Sequence, residues 1–196
     1  MELAAAQPDG AAQKAYARER ALPARIALAR AVEVAYDHLL GTASTPGELG
    51  TIANMEAHSF PKMLDDPAKA LEELLGGALP PEAFPHRDYR GPARLFPLAA
   101  RTSRNTGEPL KLKALTLAAE PVQAVTVHWR VMGDGEWKAL DLPHRARGVF
   151  EGEIPAEDLG TSDVEYHLEA KYAGGAALHW PATAPALPHT VVCGPM

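Results

Sequence analysis

Five aromatic residues in the second half of the chain are the side chains whose types could carry binding chemistry. An aromatic ring stacks on the C–H-bearing face of a sugar, so an exposed row of such rings would form a carbohydrate-binding platform. The competing interpretation is that these rings pack in a core. Trp129 lies in an alternating strand, which favours core packing, whereas Trp137 follows a turn and is a candidate for exposure. The five residues are Trp129, Trp137, Tyr166, Tyr172 and Trp180.

A second candidate position is the run His179-Trp180-Pro181. Proline within or beside a strand marks an edge or a strand end, where neighbouring rings reach solvent. We therefore predict a carbohydrate-binding site formed by Trp137, Trp180, His179 and Tyr172.

Histidines and carboxylates offer weaker signals for catalysis or metal binding. The eight histidines do not show the His-Glu-x-x-His spacing of zinc proteases. His128 and His167 are expected on neighbouring strands, but the sequence names no third ligand for a metal. We therefore predict no metal, no cofactor and no catalytic residue for this chain.

A small hydrolase is a further alternative, because Glu48 and Glu56 flank one helix with His58 close by. General acid and base chemistry needs two carboxyl groups at a controlled separation. Helix capping explains Glu48 more simply. The chain also lacks the Gly-x-Ser-x-Gly elbow and the phosphate loop, and the lone Cys193 shows no sign of activation.

Composition excludes several classes of partner. The chain has 196 residues, of which 46% are hydrophobic and 22% charged, which is enough to bury a core. Its formal net charge of -6 argues against a nucleic-acid partner, which would need a basic face. No apolar run reaches the length of about 18 residues that predicts a membrane span. The first six residues lack the features of a signal peptide.

The pattern changes from helical to strand-like near residue 92. We predict a helical segment over 1–76, a proline-rich linker over 77–92 and a β-sandwich over 93–196. In the first segment, apolar residues recur every three or four positions, and helices are expected to begin near four prolines and to end at Gly76. The prolines are Pro23, Pro46, Pro61 and Pro67.

The second half alternates polar and apolar residues, which predicts half-buried antiparallel strands. Gly133-Asp134-Gly135 is the clearest hairpin signal among the turns between them. The fold class predicted for the whole chain is α+β, in which short N-terminal helices precede an antiparallel sandwich. The expected strands are 93–100, 109–118, 123–132, 136–142, 147–154, 163–172, 176–180 and 188–193.

Four segments of this half resemble bacterial fibronectin type III-like or Ig-like accessory domains, which are often attached to polysaccharide-degrading enzymes. The resemblance covers roughly residues 93 to 193 and leaves the helical segment unassigned. The segments that carry it are Val125-Thr-Val-His-Trp-Arg130, Gly133-Asp-Gly-Glu-Trp137, Gly148-Val-Phe-Glu-Gly-Glu-Ile-Pro155 and Asp163-Val-Glu-Tyr-His-Leu-Glu-Ala170.

The resemblance implies a non-catalytic accessory or C-terminal module of a glycoside hydrolase-like protein, which binds carbohydrate weakly or braces a catalytic domain. It also implies secretion or a periplasmic location. The helical segment, which a free-standing accessory domain lacks, leads to the expectation that this chain is the C-terminal part of a longer enzyme. The alternative is a protein-interaction or assembly module that docks through the apolar faces of the N-terminal helices, since short isolated helices depend on packing for stability.

Overall fold

The computed structural model describes residue 4 and residues 6–194, and these residues form two structural units. The helical unit comprises the described residues up to Ala43 together with Gly47–Asp88. The sandwich unit comprises Ser44–Pro46 and the described residues from Tyr89 onward. No helix in the described residues is both long enough and apolar enough to cross a membrane.

The helical unit consists of α-helices joined by π-helical turns. The Asp9 side chain caps the first helix by accepting a hydrogen bond of 2.8 Å from the Ala12 amide. The last helix ends at Gly76, whose φ of 77° needs a residue without a Cβ. The α-helices are α1 (Gly10–Tyr16), α2 (Leu22–Thr42), α3 (Pro46–Asn54) and α4 (Asp66–Leu75), followed by the 3-10 turn Pro81–Ala83.

Each π-helical turn ends two residues before a proline. The residue that precedes the proline donates its amide to the carbonyl five residues back, as Phe60 does to Met55 before Pro61. A proline ring clashes with the carbonyl four residues back, and the wider turn relieves that clash. The three turns are Ala17–Ala21, Met55–Ser59 and Pro61–Asp65.

This geometry corrects the expectation that Pro23, Pro61 and Pro67 begin new helices. Helical structure runs without a break from Gly10 to Thr42, through Pro23. Helical structure runs without a break from Pro46 to Leu75, and no side chain caps a helix at Phe60 or Asp65. The predicted helix start at Pro46 and the predicted stop at Gly76 are confirmed. Small side chains let the helices approach closely in a core made of Ala17, Ala68, Leu71, Leu79 and Ala83.

The sandwich unit contains ten strands in two sheets. One sheet has the order β1-β3-β7-β6 and the other has the order β2-β10-β8-β4-β5, with β9 also paired to β8. The strands are β1 (Arg94–Pro97), β2 (Ser103–Asn105), β3 (Leu110–Leu117), β4 (Val122–Val131), β5 (Lys138–Asp141), β6 (His144–Ala146), β7 (Val149–Ile154), β8 (Val164–Tyr172), β9 (Ala177–Trp180) and β10 (His189–Gly194).

The apolar residues that alternate along the strands of both sheets meet in one core. Val127 and Leu168 of one sheet and Leu112 and Ile154 of the other are at most 3% exposed. The described strand pairs are antiparallel except for β2 with β10, which is parallel. The unit is an Ig-like sandwich, so the predicted α+β class is confirmed.

All eight expected strands are present, mostly shorter than predicted, and the Gly133 hairpin joins β4 to β5. Two three-residue strands, β2 and β6, and the short helix α5 (Ala156–Leu159) were not predicted. Three residues are too few to show an alternation, and β2 buries a charged residue. Arg104 is 2% exposed, and its Nη2 donates to the carbonyls of Leu159, Gly160 and Ser162 at 3.2, 2.8 and 3.0 Å.

Candidate functional site

The candidate site lies on the face of the six-stranded sheet that points away from the core. Along β4, Val127 and Trp129 turn inward and are buried, whereas Thr126, His128 and Arg130 between and beside them turn outward. Strand order brings β4, β8 and β9 side by side, so outward residues on the three strands become neighbours.

The pairing register decides which outward residues meet. His128 lies directly opposite His167, and Glu169 lies directly opposite His179. Residues directly opposite each other across strands have side chains in contact range. We call the resulting group the outer-face cluster, and its members are His128, Arg130, Trp137, Glu165, His167, Glu169, Lys171 and His179.

Four aromatic rings pack at the centre of the outer-face cluster, with His167 in the middle. The rings of His128 and His167 are stacked with centroids 4.8 Å apart and planes inclined by 13°. Trp137 meets His167 edge-on at 4.9 Å, and His179 meets it at 5.7 Å with a tilt of 55°. These contacts leave His167 only 5% exposed although it lies on the outer face.

Charged groups surround the rings and pair with one another. Arg130 donates from Nε to Glu165 at 2.7 Å, and its guanidinium carbon lies 4.4 Å from the centroid of the Trp137 ring. His128 Nε2 lies 3.0 Å from the Glu169 carboxylate, which also has Lys171 Nζ at 3.8 Å. The cluster therefore offers hydrogen-bond donors and acceptors beside aromatic surface.

The environment of His167 keeps its imidazole neutral. Burial, together with the smaller effects of charge on the neighbouring His128 and His179, lowers its pKa to about 4. Its Nδ1 is buried and has no hydrogen-bond partner among the described residues. The pKa of Glu169 lies below its ordinary value: burial acts to raise it, but the hydrogen bond from His128 and the charge of Lys171 outweigh that effect.

Ring packing distinguishes this arrangement from a metal centre. The His128 and His167 rings stack face to face, so their nitrogens do not converge on one point. Within residue 4 and residues 6–194, no group of three His, Cys, Asp or Glu side chains is placed to hold a metal ion.

The four sequence-predicted site residues divide into two pairs. Trp137 and His179 both lie on the outer face, where each contacts His167. Trp180 packs instead against Tyr166 and against His189 at 5.9 and 5.1 Å.

Tyr172 belongs to the core side of β8. It is 2% exposed, and its hydroxyl donates to the Arg94 carbonyl at 3.3 Å. The structure thus brings Trp137 and His179 together and places Trp180 and Tyr172 elsewhere in the sandwich.

Alternation along β8 places its glutamates on the face away from the core, where exposure to solvent is the simplest expectation from the sequence. In the structure Glu165 and Glu169 are half-buried and paired with basic groups. Alternation along β4 and β8 shows that these residues point outward. Which of them are neighbours depends on the hydrogen-bond register between the strands, and the alternation does not determine that register.

The carboxylates of the hydrolase alternative have other surroundings. Glu56 accepts a hydrogen bond from the Tyr36 hydroxyl, and Glu48 and His58 are exposed. Cys193 is half-buried, with its sulfur 3.6 Å from the Thr106 hydroxyl. Neither observation supplies a nucleophile with an activating base.

Comparisons with known proteins give weak likenesses. No family model and no curated protein matches the chain. Among the solved structures that align at low identity are an engineered protein (15% identity, TM-score 0.39), the endo-beta-1,4-mannanase from Thermotoga petrophila (9%, 0.41) and murine CRIg (10%, 0.33).

The alignments cover 67%, 66% and 54% of this chain, and 28%, 24% and 99% of the respective structures. The chain thus spans about a quarter of the length of the first two. Each TM-score is below 0.5.

Proposed function

We propose that this chain is a non-catalytic accessory module that binds carbohydrate weakly through the outer-face cluster. The observation that supports the proposal is the placement of Trp137 and His179 on one sheet face beside the charged pairs. Sugar recognition combines ring surface against C–H groups with hydrogen bonds to hydroxyls, and this face presents both. The sequence resemblance to accessory domains of polysaccharide-active enzymes points in the same direction.

The contacts within the cluster account for weak affinity. Arg130 covers one face of the Trp137 ring, and Glu165 and Glu169 already pair with basic groups. A sugar hydroxyl must therefore compete with existing hydrogen bonds, which leaves little net gain for each new one. The exposed ring of His179 is the aromatic surface that a ligand reaches first.

The charge balance favours a neutral polysaccharide over an acidic one. The outer-face cluster carries the cations Arg130 and Lys171 and the anions Glu165 and Glu169, and His167 stays neutral. Paired charges of opposite sign produce little net field, so an anionic glycan gains no steering from this face.

The proposal is tested by an NMR titration with soluble oligosaccharides of glucose, xylose and mannose. We expect amide shifts confined to β4, β8 and β9, and a loss of affinity of about tenfold in His179→Ala. The matched control is His144→Ala, which removes an exposed histidine from the opposite sheet and should bind as the wild type does. Shifts spread evenly over both sheets, or equal binding by His179→Ala, would refute the proposal.

A second candidate function is protein assembly through the helical unit. The observation that favours it is the exposure of large apolar side chains on α2, where Val34 is 58% exposed and Leu28 and Leu39 are each 39% exposed. Apolar surface of this kind often marks a protein contact. Light scattering tests it: a concentration-dependent mass that Val34→Lys abolishes supports assembly, and a constant monomer mass at high concentration counts against it.

A further inference from the structure

The helical unit contains a cavity of about 200 Å³. Its lining is apolar except for one basic side chain. The lining residues are Ala21, Ala24, Arg25, Leu28, Pro67 and Leu71. A concave apolar surface with one well-placed polar group is the usual form of a small-molecule site.

Arg25 is the polar group of this cavity, and only part of its guanidinium is satisfied. The residue is 6% exposed, and its Nε donates to the Ala83 carbonyl at 2.7 Å. Both terminal nitrogens, Nη1 and Nη2, are shielded from solvent and have no hydrogen-bond partner among the described residues. Burial lowers the pKa of this guanidinium, yet an arginine side chain stays protonated, so the buried charge persists.

The carboxylate of Asp65 does not supply the missing acceptor. Asp65 acts on Arg25 through its charge, but it pairs with Arg87 at 3.5 Å. A buried donor without an acceptor is unfavourable by roughly 1–3 kcal/mol, and more when the donor is charged. The fork of two parallel N–H groups on Nη1 and Nη2 matches the two oxygens of a carboxylate.

We propose that this cavity binds a small carboxylate ligand with an apolar body. The carboxylate accepts hydrogen bonds from Nη1 and Nη2 of Arg25, and the apolar body packs against Leu28, Pro67 and Leu71. A cavity of this size holds on the order of ten non-hydrogen atoms, which suits a short aliphatic or a single-ring aromatic acid. The proposal is independent of carbohydrate binding by the sandwich unit.

Entry to the cavity is from the side of Ala24 and Leu28, which are the exposed members of its lining. Because both terminal nitrogens of Arg25 are shielded, a side chain must move before a ligand reaches them, and Leu28 is the large exposed side chain of the lining. A ligand that fills the cavity displaces water from around the ion pair, which strengthens it.

The experiment is an NMR titration of the full chain with sodium benzoate, repeated with benzamide, which has the same shape without the charge. We expect benzoate to shift the amides of Ala24, Leu28 and Leu71 saturably and benzamide to bind about tenfold more weakly. Absence of benzoate-induced shifts at these amides, or equal binding of the two compounds, overturns the proposal. Both outcomes are read on the wild-type protein, so they do not depend on a variant that folds.

Two tryptophan variants locate the site without touching Arg25. Ala24→Trp fills the mouth of the cavity, whereas Ala27→Trp adds the same side chain at an exposed position of α2 outside the lining. We expect Ala24→Trp to weaken benzoate binding by about tenfold or more and Ala27→Trp to change it by less than about twofold. Benzoate binding that survives Ala24→Trp unchanged places the ligand elsewhere and overturns the assignment.

Discussion

Acidification is expected to destabilise the sandwich unit through His167, and His167→Phe is expected to remove most of that sensitivity. The imidazole lies between the rings of His128 and His179 with Trp137 against it, and it is 5% exposed. The substitution keeps an aromatic ring in this space and removes the titrating group.

The sign follows from the direction of the pKa change. The pKa of His167 falls from 6.5 to about 4 on folding, so between these values the unfolded chain binds a proton that the folded chain does not. Stability therefore rises with pH across this window. The contribution is complete above the unfolded value and is lost progressively as the pH falls toward the folded value.

The magnitude follows from the same two pKa values. Each unit of pKa corresponds to about 1.36 kcal/mol, so the full difference of about 2.5 contributes about 3 kcal/mol to the free energy of unfolding. Between about pH 7.5 and about pH 4.5 the wild type should lose about 2.5 kcal/mol through this residue alone. Other groups titrate in the same range, so the informative quantity is the difference between wild type and variant.

The assay is urea unfolding at the two pH values for the wild type, His167→Phe and the control His144→Phe. We expect the pH-dependent loss of unfolding free energy to be about 2 kcal/mol smaller in His167→Phe than in the wild type. His144 is exposed on the other sheet, so its variant should retain the wild-type loss. An identical loss in all three proteins would refute the argument that burial of His167 sets its protonation.

Two further predictions concern the stability of the sandwich unit and are also checked by urea unfolding. Arg104→Met should lower the free energy of unfolding by about 3 kcal/mol or more, because three carbonyls lose the hydrogen-bond donor that Arg104 supplies. A loss below about 1 kcal/mol would contradict this role of Arg104. Gly148→Ala should lower the free energy of unfolding by several kcal/mol, because the new Cβ would overlap the backbone carbonyl oxygen of Thr116. The control is Gly135→Ala, whose Cβ meets no atom within 4 Å, so its stability should be nearly unchanged. Equal stability of the two alanine variants would show that the backbone at Gly148 yields.

The strands were predictable from the sequence because each long strand has one buried face. In β8, the residues at even positions from Val164 to Tyr172 all point into the core. The same period places Tyr172 with Tyr166 on the inner side, and the short strand β9 puts Trp180 opposite Leu168. An interpretation based on aromatic residue type alone missed the inward orientation of Tyr172 and Trp180.

The helical unit was less predictable because residue types alone do not show whether a proline begins a helix or lies within one. A proline after a Ser or Asp is typical of a helix start. At Pro61 and Pro67 the preceding turn widens instead, so the helix continues. The core of the unit also joins Ala68 and Leu71 to the distant residues Leu79 and Ala83, a contact that the helical pattern alone does not contain.

The position of Trp137 in the outer-face cluster follows from the length of the hairpin that precedes it. The last pair of the β4–β5 ladder is Trp129 with Lys138, so continuing the register by one step places Trp137 beyond the ladder and opposite Arg130. Arg130 points outward, and residues opposite each other share a face, so Trp137 points outward too.

Trp129, one position away in this register, points inward and is 3% exposed. A change of one residue in the Gly133-Asp134-Gly135 turn would direct the Trp137 indole toward a filled core and remove its contact with His167, whereas Trp129 would stay inward because β8 holds β4 in register. The turn therefore determines both the aromatic surface of the outer-face cluster and the burial of His167, and the spacing of Trp129 and Trp137 around it is the sequence signal by which that cluster could have been found.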